Sequence, residues 1–116
     1  MEKILFNQSR KNALAGEVYL CDSFWKRTQG LLGHAPLLPH QAFWLIPCNS
    51  VHTFGMKYPI DLYALNKDNR VVAVIKNMKP NRISRIFWKA HSILEMISGP
   101  SRDCEPGDQL EFQEAA

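Results

Sequence analysis

The sharpest chemical pattern in this 116-residue chain is Cys48-x3-His52-x3-Met56. A thiol, an imidazole and a thioether in that order resemble the ligand loop of a blue-copper protein, where a thiolate and two imidazoles hold copper beside a weak axial thioether. Such a site needs a second imidazole, and the candidates His34 and His40 lie only a few residues upstream. In a regular strand, residues four apart stand about 13 Å from each other, too far to share one ion. The expectation is therefore no metal and no other cofactor, with Cys48, His52 and Met56 as the set to test. Cys48 and His52 could also form a thiolate–imidazolium nucleophile. Neither a helix N-terminus nor a third, orienting group accompanies them.

Two carboxylates raise a different possibility. Asp61 sits among apolar residues in Ile60–Leu65, and Glu95 among apolar residues in Ser92–Ile97. A carboxylate in such a place can orient a ligand or take a proton, or it can accept backbone amides in a structural role. If both faced one cleft, one could hold its proton and act as an acid, which with His52 would give a small hydrolase. Nothing in the sequence places them close. Arg27 has a planar fork that could grip a carboxylate or phosphate, or tie its own element to Asp61 or Glu95. The candidate ligand-binding set is then His52, Phe54, Met56, Asp61, Arg27 and Glu95. The favoured reading is non-enzymatic binding of a ligand or protein partner at a cleft near residues 48–61. There Asp61 fixes orientation, His52 donates or accepts a hydrogen bond, and Phe54 and Met56 give apolar contact. The hydrolase is the alternative, and the copper site the third.

The elements that must position these residues are short. Ile4–Phe6 and Gly16–Leu20 read as strands, followed by a helix over Ser23–Leu32. Asp22 supplies its N-cap, Phe24, Thr28, Leu31 and Leu32 its apolar face, and Gly33 its left-handed terminator. Ala42–Ile46, Ile60–Leu65, Val71–Ile75, Ser92–Ile97 and Gln109–Phe112 read as further strands, with Asn66–Asn69 as a hairpin turn and Ile83–Ala90 as a loop with aromatic anchors. About seven short strands and one helix predict a single, mainly β domain: an antiparallel sandwich, jelly-roll-like, or a distorted barrel, with one packed helix over about 22–32.

The motif order is more specific than any motif in it. Arg27-Thr28-Gln29-Gly30-Leu31-Leu32 precedes Cys48-Asn49-Ser50-Val51-His52-Thr53-Phe54-Gly55-Met56 and then Tyr58-Pro59-Ile60-Asp61-Leu62-Tyr63. Arg70-Val71-Val72, Ile93-Leu94-Glu95 with Gly99, and Gly107-Asp108-Gln109-Leu110 follow. Over about residues 17–112 this resembles the family called domain of unknown function 192, in a subgroup written with His-Thr-Phe-Gly-Met. The resemblance implies a mainly β, sandwich or jelly-roll-like fold with one helix near the start. It implies no established activity.

Composition sets the outer limits. Hydrophobic residues make up 46% and charged residues 22%, ordinary for a globular domain. No apolar run approaches the roughly 20 residues of a spanning helix. The first residues turn polar at Asn7, which excludes a signal-peptide apolar region and predicts no membrane and a cytoplasmic location. Three widely spaced cysteines fit reduced thiols. The net charge is +3, 14 basic less 11 acidic residues. It is unevenly spread: six cations and no acid lie between Asn69 and Leu94, whereas residues 95–116 hold six acids and one cation, Arg102. Lys76, Lys79, Arg82, Arg85 and Lys89 with Phe87 and Trp88 form a basic–aromatic stretch of the kind that binds single-stranded nucleic acid. Pro80 breaks it and no recognised nucleic-acid motif is present, so a nucleic-acid partner is not expected.

Overall fold

The computed structural model describes residues 3–21 and 37–114. Among the described residues there are eight strands: β1 Lys3–Asn7, β2 Asn12–Ala15, β3 Glu17–Cys21, β4 Gln41–Leu45, β5 Ile60–Leu65, β6 Val71–Met78, β7 Ser92–Ile97 and β8 Leu110–Glu114. They form a three-stranded sheet in the order β2-β1-β8 and a five-stranded sheet in the order β3-β4-β7-β5-β6. The chain is mainly β, and its sheets do not close into a barrel.

Two expectations need correction. The large sheet is mixed, because β3 runs parallel to β4, with Glu17 opposite Gln41 and Cys21 opposite Leu45. A parallel pair needs a long crossover, and the chain between Cys21 and Gln41 is long enough to supply one. β2 is an additional strand, set antiparallel against β1 with Leu5 opposite Ala15. No helix occurs among the described residues. The helix read over 22–32, with Arg27 on it, lies outside them.

Alternation along each strand sorts side chains to the two faces of the large sheet. One face carries Ala42, Tyr63, Leu65, Val71, Leu94 and Met96, which pack with Leu5, Leu14, Ala15 and Leu110 of the small sheet. Trp44 of this face stacks on Phe112 of β8, ring centroids 3.8 Å apart. The opposite face carries Ile60, Leu62, Ala64, Ala73 and Ile93, covered by Val51, Met56 and Phe87 from the two long loops. Farther along, Phe43 and Leu45 pack with Cys21 and Leu37.

Polar ties lock the small sheet to the segment before β8. Asn7, fully buried, donates to Asp108 at 2.9 Å, and Arg10 Nε donates to the same Asp108 carboxylate at 2.6 Å. Burial alone would raise the Asp108 pKa, but the bonds from Asn7, the Glu105 amide and Arg10 hold it below its ordinary value.

Candidate functional site

The large sheet separates the two carboxylates. In the β5–β7 pairing Asp61 stands opposite Met96 and Leu62 opposite Glu95. Directly opposed residues project to the same side, so Asp61 shares the inter-sheet face with Tyr63 and Met96. Glu95 shares the loop-covered face with Leu62 and Phe43. The two groups cannot reach one substrate atom, as a hydrolase built on both would require.

Asp61 is 2% exposed, and its carboxylate is occupied on both oxygens. The Asn77 backbone N–H donates to Oδ1 at 2.8 Å, and Arg102 Nη1 donates to Oδ2 at 3.2 Å. Lys76 Nζ lies 3.8 Å from Oδ2 and donates to the Tyr63 hydroxyl at 2.7 Å. Arg102 is itself buried and also donates to the carbonyls of Ile97 and Pro39. It thereby ties the end of β7, the turn before β4 and the start of β5 together. Sequence reasoning missed Arg102 as a partner for Asp61. Its signal was available, since it is the lone cation in an acid-rich tail.

Glu95 is in the opposite condition. It is fully buried, and neither carboxylate oxygen has a hydrogen-bond partner among the described residues. Burial pushes its pKa from 4.5 to about 8, so it holds its proton at neutral pH. Tyr58 lies close enough to feel it. Burial raises the Tyr58 pKa, the Leu37 backbone opposes the shift, and Glu95 adds to it.

His52, Phe54 and Met56 belong to the loop between β4 and β5, which is interlocked with residues 79–87. Thr53, fully buried, holds the junction. Its Oγ1 donates to the Lys79 carbonyl at 2.7 Å and accepts from the Arg82 N–H at 2.9 Å, while its own N–H donates to the Arg82 carbonyl. Val51 and Ser84 exchange a further pair of bonds. On this pinned segment His52 and Phe54 are exposed and stacked, ring centroids 5.2 Å apart. The Phe54 N–H donates to His52 Nδ1 at 3.3 Å. Met56 is buried in the core, with Cys48 partly buried against the same cluster. Cys48 donates to the Ser50 carbonyl at 3.1 Å.

The Cys48, His52 and Met56 side chains thus do not face a common point: the imidazole looks outward and the thioether inward. His40, considered as a second imidazole, lies beside β3, where it hydrogen-bonds Glu17 at 3.2 Å. No disulfide is formed among the described residues, which include all three cysteines. The Cys104 thiol is pushed up to about 12, by burial first and by Asp108 next, which makes it unreactive.

Beside the start of the same loop lies an open depression of about 320 Å³, lined by Pro47, Cys48, Asn49, Ser50, Ala90 and His91. Neither His91 nor Asn49 carries a spacing or partner residue that marks it in the sequence as a site residue. The fold and this loop define the class: a two-sheet β domain whose long loops cover one face of the larger sheet and present polar and aromatic groups from it.

The chain belongs to the DUF192 family, described as an uncharacterized ACR, whose model matches residues 5–112. A UPF0127 protein of Pyrococcus horikoshii is 31% identical over 116 residues, covering 94% of this chain and 98% of that one. A solved structure of a protein of unknown function from Novosphingobium aromaticivorans superimposes with a TM-score of 0.75 at 16% identity, covering 96% of this chain and 84% of that one. Another, from Sinorhizobium meliloti and described as a candidate transcription regulator, gives 0.74 at 21% identity, covering 96% and 92%. These structures support the fold. No helix among the described residues is long and apolar enough to cross a membrane.

Proposed function

We propose that this domain is a binding module, without catalytic chemistry of its own, that takes a small polar ligand or a partner's side chain at the 47–56 loop. The carrying observation is the pinned Thr53 junction. It spends a buried hydroxyl on rigidity and leaves the His52–Phe54 stack facing solvent. A rigid platform loses little freedom on binding, which favours affinity. The neighbouring depression adds the Asn49, Ser50 and His91 side chains as donors and acceptors, and the buried Met56 acts as support beneath the loop rather than as a contact. Asp61 and Arg102 stiffen the sheet behind it, and a reducing, cytoplasmic setting suits the three thiols.

Amide correlation spectra of the labelled protein, recorded against a library of small polar fragments, test this reading. Shifts are expected at residues 47–56 and 90–91, and Phe54→Ala or Asn49→Ala should abolish them. Shifts confined to other surfaces would refute it. Turnover of chromogenic esters or glycosides that disappears in Glu95→Gln would replace it with a hydrolase built on Glu95 without Asp61.

A further inference from the structure

β6 is an outer strand of the large sheet, and no described strand pairs with its free edge. Register shifts against β5 bend it near Val72 and again near Lys76–Asn77, leaving Ala73–Ile75 as its regular stretch. Beside that stretch runs a groove of about 240 Å³ lined by Val72, Ala73, Arg85, Phe87, Trp88 and Lys89. The floor is apolar, and Phe87 within it is 3% exposed. Arg85 lies over the Phe87 ring, its guanidinium carbon 4.5 Å from the centroid. Trp88 stands at the wall with 84% of its surface in solvent, an unusual expense for the largest apolar side chain.

The charged residues that line the groove, Arg85 and Lys89, are both cations. Of the six cations between Asn69 and Leu94, Arg70 is bonded to the Gly107 carbonyl and Lys76 to Tyr63. Among the described residues, Lys79, Arg82, Arg85 and Lys89 form no ion pair with a carboxylate.

We propose that this groove docks an acidic segment of a partner protein, extended along Ala73–Ile75, with a bulky apolar side chain packed against Val72 and Trp88. Carboxylates flanking that side chain meet Arg85 and Lys89. Apolar contact and charge complementarity then act together: Trp and Arg are the side chains enriched among those that carry most binding energy at interfaces, and added backbone pairing at a free edge is a recurrent mode of peptide recognition. A second copy of this chain fits poorly, because symmetric pairing would bring like charges together along an edge only three regular residues long. Single-stranded nucleic acid fits poorly as well. It needs successive exposed rings to stack on, and Phe87 is buried, leaving Trp88 by itself.

This groove adjoins the 47–56 loop, since the Phe87 N–H donates to the Asn49 carbonyl, but it shares no lining residue with the depression beside that loop, so substitutions at Trp88 and Lys89 test it apart from the binding reading given above. The test is selection of a random dodecapeptide library displayed on phage against the folded domain, followed by fluorescence anisotropy with the enriched peptides. The expected consensus is a bulky apolar residue beside two or more Asp or Glu. Trp88→Ala and Lys89→Glu, both exposed positions, should each weaken binding about tenfold or more while leaving the thermal midpoint unchanged. Selection without acidic enrichment would overturn the proposal, as would peptide binding that survives both substitutions. So would tighter binding of oligo(dT) or of phosphatidylglycerol-containing vesicles than of the selected peptides.

Discussion

Glu95 and Asp61 look alike in sequence, each a lone acid in an apolar strand, yet folding gives them opposite chemistry. Asp61 is paired with a buried arginine at 3.2 Å, within a network of bonds. Glu95 has no such partner among the described residues and keeps its proton instead, with a pKa of about 8. This has a defined consequence for stability. Between pH 4.5 and 8 the folded state holds a proton on Glu95 that the unfolded chain has lost, so the stability contributed by this group is greatest below pH 4.5 and falls as pH climbs towards 8. Glu95→Gln removes the titration while nearly preserving shape. Urea denaturation at several pH values should show the wild type losing on the order of 3 kcal/mol more than the variant between pH 5 and 8. Parallel curves for the two proteins would mean that Glu95 finds a counter-charge in the folded state.

Strands announce themselves in sequence where side chains alternate or β-branched residues run together, and they do not announce their neighbours. Ile60–Leu65 and Ser92–Ile97 were legible to the residue, and Val71–Ile75 was legible except for its polar continuation to Met78. β2 escaped because Asn12–Ala15 is four residues long, with neither a β-branched nor an aromatic side chain. The parallel direction of β3 was hidden because alternation is the same in both directions. Hidden for a similar reason was the split between Asp61 and Glu95: they lie on different strands, and a one-residue offset in register exchanges the faces. The candidate loop was legible in composition but not in role, since Met56 and Phe54 are both apolar and only one of them is buried.

At the level of elements, the interlock between the two long loops is the part most open to attack. Thr53→Val keeps the volume and removes the hydroxyl, orphaning the Arg82 N–H bond and the Lys79 carbonyl in a buried site. A loss of about 2 kcal/mol is expected, with faster hydrogen exchange at Asn81 and Arg82 and little change in β5 and β7 amides. Unchanged exchange at Asn81 and Arg82 would show that backbone bonds alone hold the loops.

On the scale of the whole molecule, the two ends of the described chain meet. β1 pairs with β8 over its full length, from Lys3 opposite Glu114 to Asn7 opposite Leu110. Leu5 and Leu110 are buried in the same cluster as Tyr63, Leu94 and Met96 of the large sheet. The small sheet is therefore complete only when β8 has arrived, and the inter-sheet face of β5 and β7 is not fully covered until then. Pairings so distant in sequence make for slow folding. They also make unfolding a single event, since removing β8 strips partners from β1 and from the core of the large sheet together. Leu110→Asp places an unpaired carboxylate at a site that is 2% exposed, next to Leu5 and Cys104. A loss of about 4 kcal/mol or more is expected, enough to leave a small domain largely unfolded. Far- and near-ultraviolet circular dichroism should fall together during thermal denaturation of the wild type, and both signals should already be lost at low temperature in the variant. A variant that lost only the small sheet, with a surviving cooperative transition for the five-stranded one, would show two independent folding units in place of the shared core.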